Sequence, residues 1–209
     1  MIKTIIWDWN GTLLDDLQLS LDSVNVLLKE RDLPTLTVER YREIFNFPVI
    51  KYYEAAGFDF SKEPFEIPAR KYMNLYHAGE HTTQLFPDVI KTLSYLKDKG
   101  YQQFVLSAME DGNLKKMIAN AGITDYFNGI FGIKDDFARE KISMGKHVVK
   151  DLKLNPKECV MIGDTLHDAE VAATCGFDCI LYTQGHVSRE RLESKGFRTI
   201  DRLEELLSF

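Results

Sequence analysis

At 209 residues, 44% hydrophobic and 28% charged, the chain has the composition of a soluble globular protein, with one well-buried core and room for a smaller second unit. The net charge of -6 argues against nucleic acid as a partner, no apolar run approaches the ~18 residues of a membrane span, and the first residues carry no signal-peptide pattern. Cys159, Cys175 and Cys179 are an odd number with no CxxC pair, so no disulfide framework is expected and a reduced, cytoplasmic setting fits best.

Thr4 to Trp7 is a β-branched and aromatic run, the composition of a buried strand. It stops at Asp8, and Gly11 lets the chain turn sharply just beyond. Asp8 is therefore read as a nucleophile or metal ligand at the tip of a rigid element, or as a helix cap. From Asp15 to Thr83 the pattern is helical throughout. Leu17, Leu21, Val24 and Leu28 share one face, Thr37 caps a second helix, Phe47-Pro48 interrupts, Val49 to Ala56 is closed by Gly57, and Ala69 to Gly79 forms one more helix after a loop with Pro64 and Pro68. An inserted helical unit is expected here.

After Leu85 strands and helices alternate. Strands are predicted at 103–106, ending at Ser107, then at 129–133, 159–162 and, as the last, 179–182. Helices are predicted at 87–99, 113–120, 140–152 and 166–175, with short ones at 188–194 and 203–207. The expected class is α/β, a Rossmann-like parallel sheet with helices on both faces plus the helical insertion.

Strand ends of such a sheet converge on one edge. They bring forward Asp8 with Asn10 and Thr12, then Ser107, then Lys141 at a helix start, with Lys146 as its competitor, then Gly163-Asp164 with Asp168. This set fits a phosphoryl group. A carboxylate can attack phosphorus, hydroxyls can hold non-bridging oxygens, a lysine supplies positive charge, and two or three carboxylates imply a hard cation such as Mg²⁺. Asp164 could also cap the helix that follows it. His167 is read as an exposed first-turn residue or a metal ligand. The aromatics Tyr41, Phe45, Phe47, Tyr52 and Tyr53 are read mainly as core of the helical unit, with one or two lining a pocket where Arg42 and Asn46 would set specificity.

The stretch Asp8-Trp9-Asn10-Gly11-Thr12 resembles the first motif, DxDGT, of the haloacid dehalogenase-like superfamily. Val105-Leu106-Ser107 resembles its second motif, Lys141 sits where the third-motif lysine is expected, and Gly163-Asp164-Thr165-Leu166-His167-Asp168 resembles the fourth, GDxxxD. The insertion after the first motif is similar to the type-one helical cap of phosphoglycolate phosphatase-like enzymes. The resemblance implies a core of residues 1–14 and 84–209, a cap of residues 15–83, and a Mg²⁺-dependent phosphatase that forms an aspartyl-phosphate on a small phosphorylated metabolite, as a monomer or homodimer. It further implies that Asp8 is nucleophile and metal ligand, that Asn10 gives its backbone carbonyl to the metal, and that Thr12 and Ser107 hold the phosphoryl group. Lys141 would pair with Asp8, Asp164 would ligate the metal, and Asp168 would orient that ligand or the metal's waters. One departure stands out: the motif's second acid, which exchanges the leaving-group proton in the phosphatases, is Asn10 here. Two alternatives follow, a phosphonoacetaldehyde hydrolase-like enzyme using Lys51 for a Schiff base and a non-catalytic phospho-ligand binder.

Overall fold

The computed structural model describes residues 1–133 and 141–208. Strand β1 (Thr4–Trp7) leads into the two-residue strand β2 (Leu14–Asp15), and the helices α1 (Leu17–Lys29), α2 (Val38–Ile44), α3 (Val49–Ala56) and α4 (Glu66–Gly79) follow. The chain returns through β3 (Gln84–Leu85) and α5 (Val89–Asp98) to β4 (Gln102–Glu110), α6 (Asp111–Asn120) and β5 (Gly129–Ile133). Next come α7 (Lys141–Asp151), β6 (Cys159–Gly163), α8 (Leu166–Cys175), β7 (Asp178–Tyr182), α9 (Arg189–Glu193) and β8 (Arg198–Ile200).

Six strands form one parallel sheet in the order β5-β4-β1-β6-β7-β8. Strand β1 is buried on both faces because its side chains alternate between two cores. Ile5 and Trp7 pack with Leu93 and Leu96 of α5 and Leu114 of α6. Ile6 packs with Val171, Ala172 and Cys175 of α8. The expected α/β sheet with helices on both faces is thus present. The helical insertion buries a third cluster of its own, built on Leu21, Val24 and Leu27 of α1 with Tyr41, Tyr52 and Tyr53.

Several boundaries differ from expectation. The segment before residue 84 is not wholly helical: Leu14–Asp15 pairs antiparallel with Gln84–Leu85, which ties the two ends of the insertion together. Helix α4 starts at Glu66, so Pro68 lies in its first turn, where a missing N–H costs nothing. Strand β7 is not the last. Arg198–Ile200 adds an edge strand too short, and too polar at its start, to stand out from a loop in sequence. Residue 140, expected to open α7, lies outside the described residues. The expected Thr37 cap is present, its hydroxyl accepting the Arg40 N–H at 3.2 Å.

The chain crosses the sheet after β5, so β1, β4 and β6 flank the point where strand order reverses. Crevices outside the carboxyl ends of strands at such a point are where open α/β sheets bind ligands.

Candidate active site

Asp8 directly follows β1, whose last residue, Trp7, pairs with Val105 of β4 and Ile162 of β6. The Asp8 N–H continues the ladder to the Ile162 carbonyl at 2.8 Å, which fixes the carboxylate at the sheet edge. Ser107 sits inside β4 rather than at its end. However, the pairing with β5 shifts register after Leu106, and a strand irregularity of that kind re-aims side chains near a site. The Ser107 hydroxyl accepts the Met109 N–H at 3.1 Å and keeps its own proton to donate. Asp164 follows β6, and α8 is capped by Thr165, not Asp164, in a capping box with Asp168. Asp164 instead accepts the Thr12 hydroxyl at 3.1 Å and the His186 N–H at 2.6 Å.

Lys141, in the first turn of α7, reaches both flanks of this group. Its Nζ lies 2.7 Å from Asp8 and 2.5 Å from Asp168, and its side chain is 2% exposed. The competitor Lys146 is exposed on the same helix. The second Asp168 oxygen accepts the Thr165 N–H and hydroxyl at 3.0 and 2.7 Å, so both its oxygens already have partners, one of them Lys141.

Asp8, Asp164 and Asp168 offer carboxylate oxygens within 4.8 Å of one another, all buried. Burial first, then the neighbouring carboxylates, push Asp8 well above the usual carboxylate range against the pull of Lys141. Burial likewise lifts Asp164 to about 6. Burial would raise Asp168 too, but Lys141 and the hydrogen bonds to Lys141 and Thr165 hold it below its ordinary value. Lys141 is raised despite burial by Asp168 and Asp8. Three acids against one lysine leave a surplus of negative charge on hard oxygen donors, and that donor set fits a divalent cation such as Mg²⁺ at Asp8 and Asp164.

Beside this group lies a network that the sequence did not disclose. Asn10 Nδ2 donates to Asp16 at 2.9 Å and to the Tyr76 hydroxyl at 2.7 Å, and that hydroxyl donates to Asp16 at 2.7 Å. Asp16 also accepts the Gly11 N–H at 2.9 Å, and its Oδ1 lies 3.1 Å from His186 Nε2. His186 Nδ1 lies 2.9 Å from the Tyr41 hydroxyl. Burial opposes charge on both partners, yet Asp16 lifts His186 to about 9 and His186 holds Asp16 below its usual value. An amide at position 10 suits this setting, because a carboxylate there would face the ionised Asp16. The Asp15-Asp16 pair after the first motif was the one available signal for Asp16; nothing local marked His186 or Tyr76.

A haloacid dehalogenase-like hydrolase family model matches residues 5–182, most of the chain and all of the acidic cluster. The chain belongs to that family. Among curated proteins it is 25% identical over 212 residues to the tyrosine-protein kinase PtkA of Mycobacterium tuberculosis, covering 98% of this chain and 72% of that one. It is 23% identical over 214 residues to phosphoglycolate phosphatase 1 of Pseudomonas aeruginosa, covering 98% and 78%. The fold matches a haloacid dehalogenase-like family hydrolase from Streptococcus pneumoniae with a TM-score of 0.84 at 23% identity, over 99% of this chain and 97% of that one. The expectation of a phosphatase-type hydrolase agrees with this membership.

In this haloacid dehalogenase-like protein a cavity of about 180 Å³ opens above the acidic cluster. Asp8, Asn10, Ser107 and Lys141 face it from the sheet side, and all five aromatics expected mainly as core of the insertion line it. Other expected residues lie elsewhere. Thr12 is fully buried, with its hydroxyl given to Asp164 rather than to the cavity. Arg42 donates to the carbonyls of Gln184 and Gly185 and lines a separate cleft with Asp15 and Asp201. Asn46 is exposed and outside the lining. Lys51 is exposed and paired with Glu54 at 2.8 Å, so the Schiff-base alternative has no lysine from the insertion among the described lining residues. His167 lies outside the acidic cluster and is not fully exposed: its ring stacks on Phe47 at 4.8 Å between centroids, and its Nδ1 lies 3.1 Å from Glu170.

Proposed function

We propose that the protein is a Mg²⁺-dependent phosphatase that hydrolyses a small phosphate monoester through an aspartyl-phosphate on Asp8. The observation that carries this reading is Lys141 held between Asp8 and Asp168 at the floor of a cavity, with Asp164 alongside. Asp8 is the nucleophile, and Lys141 pulls it toward the ionised form against its burial. Lys141 and the Ser107 hydroxyl bind the transferring group, and Asp168 positions Lys141. Asp8, Asp164 and the backbone carbonyl of Asn10 would hold the cation. When bound, it offsets the charge of the phosphoryl group. Residues 15–83 act as a cap that screens the floor from water, over a core of residues 1–14 and 84–209. The Asn10 amide cannot exchange a proton with a leaving group, which slows esters that need an acid by ~10²–10⁴-fold. The phosphatase names among the relatives are in keeping with a small phosphorylated metabolite as substrate. A cytoplasmic monomer or homodimer completes the reading, with three free cysteines in keeping with a reducing setting.

The test is phosphate release from a panel of phosphate monoesters and acetyl phosphate with Mg²⁺, for the wild type and Asp8→Asn. Turnover that requires both Mg²⁺ and Asp8 is expected. Activity retained in Asp8→Asn refutes the assigned mechanism. Tight Mg²⁺-dependent binding of phosphate or phosphate esters without turnover favours the non-catalytic binder instead.

A further inference from the structure

We propose that the leaving group of the substrate is a phenol whose ring carries no ionised substituent, so that the cavity takes a small aryl phosphate rather than a phosphorylated hydroxy acid or sugar. This rests on the phosphatase reading and adds a substrate class to it. Four observations carry it.

The walls come first. The helical insertion faces the cavity with Phe45, Phe47, Tyr52, Phe65, Tyr72 and Met73, and no lysine, arginine or histidine of the insertion is among the described lining residues. Rings and a thioether bind a flat apolar group, and the tyrosine hydroxyls among them carry no charge to set against an anion.

Charge comes second. Lys141 is spent on Asp8 and Asp168, His186 on Asp16, and His167 Nδ1 faces Glu170. Asp8 and Asp16 themselves face the cavity. A substrate carboxylate or second phosphate would be desolvated there with no free counter-charge among the described residues, which is the costly way to bury an ion.

Third, two buried polar atoms on the lining have no hydrogen-bond partner: the hydroxyl of Tyr52, a residue 2% exposed, and Nε2 of His167. Orphaned polar atoms on residues that line a cavity fit a ligand that supplies the missing partner. A neutral polar substituent on an aromatic ring would do so without adding charge.

Fourth, among the described residues the phosphoryl site has no free acid for the leaving group. Both Asn10 Nδ2 bonds go to Asp16 and Tyr76, the Tyr76 hydroxyl donates to Asp16, and the two ring nitrogens of His186 face Asp16 and Tyr41. The leaving oxygen must therefore depart carrying its electron pair. An Asp8 oxygen bonds to phosphorus as the P–O(aryl) bond breaks. The phenolate leaves and takes a proton from water. A second water then hydrolyses the aspartyl-phosphate, releasing inorganic phosphate and restoring the Asp8 carboxylate. A phenolate accepts that role where an alkoxide does not, because a phenol is by far the stronger acid, at about 10 for tyrosine.

Four substrates separate ring binding from leaving-group quality: phenyl phosphate has both, benzyl phosphate the ring alone, acetyl phosphate the leaving group alone, and 2-phosphoglycolate neither. Steady-state phosphate release with MgCl₂ is measured for each. Phenyl phosphate is expected to have the highest kcat/KM. Benzyl phosphate should keep a similar KM but lose about 10²–10⁴-fold in kcat, the usual worth of general acid help. Acetyl phosphate should keep kcat but show KM raised at least roughly tenfold, the worth of burying a ring. Benzyl phosphate turned over as fast as phenyl phosphate overturns the inference, since a proton donor must then act. So does acetyl phosphate matching the KM of phenyl phosphate, or 2-phosphoglycolate giving the highest kcat/KM. In those three cases the phosphatase reading survives. If none of the four is cleaved, the phosphatase reading itself falls and the inference with it.

Discussion

Replacing Lys141 with methionine removes the ammonium that bridges Asp8 and Asp168 while keeping an unbranched chain of similar length. The ammonium makes two short contacts, 2.7 and 2.5 Å, from a side chain 2% exposed. Hydrogen bonds to charged groups are worth ~1.5–3 kcal/mol each, and breaking a buried ion pair from one side costs ~3–5 kcal/mol. The two figures agree on a loss of about 3–5 kcal/mol, because the carboxylates left behind are buried without their counter-charge. For a chain of this size that corresponds to a fall in Tm of roughly 6–20 °C. The assay is urea unfolding of wild type and Lys141→Met, each in EDTA and in MgCl₂. Saturating a site at a hundred times Kd adds ~2.7 kcal/mol. In the variant the cation would enter a cluster stripped of its lysine, so the Mg²⁺ increment should be larger than in the wild type. A loss below about 1 kcal/mol, the scale of a surface pair, would refute the account of the cluster. Equal Mg²⁺ increments in the two proteins would refute the shared site.

Two further outcomes follow from the same geometry. A Cβ on Gly185 would stand 2.2 Å from Asp164 Oδ2 and 2.4 Å from the Gly11 carbonyl. Gly185→Ala should therefore displace Asp164 and weaken Mg²⁺ binding about 10–100-fold by titration calorimetry, and an unchanged Kd would show that Asp164 is not a ligand. His186 rises from an ordinary 6.5 to about 9 on folding, so its contribution is fully present below 6.5 and lost as pH rises through about 9. In EDTA, the stability of wild type over His186→Gln should shrink across that window. A difference that stays flat from pH 6 to 10 would mean that the His186–Asp16 pair is not ionic.

The residues of the acidic cluster were legible because each sits next to a strand boundary that the sequence marks. The apolar run Thr4–Trp7 ends at Asp8, Cys159–Gly163 ends before Asp164, and Asp168 follows at the spacing of the fourth motif, although Thr165 and not Asp164 caps α8. Alternation of strand and helix then requires those ends to meet, since parallel strands share one carboxyl edge. The helices of the insertion were legible from their periodicity, and Gly57 and the Thr37 cap marked their ends.

Other features depended on pairings between distant parts of the chain. Asp16 and His186 are 170 residues apart, and each is an ordinary polar residue until folding buries both. Strand β8 exists only because β7 offers it an edge. Arg42 has the chemistry of a specificity residue, but two backbone carbonyls of the loop before His186 claim its guanidinium. Thr12 reads as a phosphoryl ligand in the motif and is buried against Asp164. The sequence by itself determined the sheet, the helical insertion and the order of acids along the sheet edge, because local composition and the spacing of strands suffice for those. Only the tertiary structure decided which acids are paired, that Asn10 is locked against Asp16 and Tyr76, and that the cavity above them is aromatic and without a free cation among its described residues. Those depend on which side chains burial brings within 3 or 4 Å of each other, and hydrogen-bond reach at that scale has no signature along the chain.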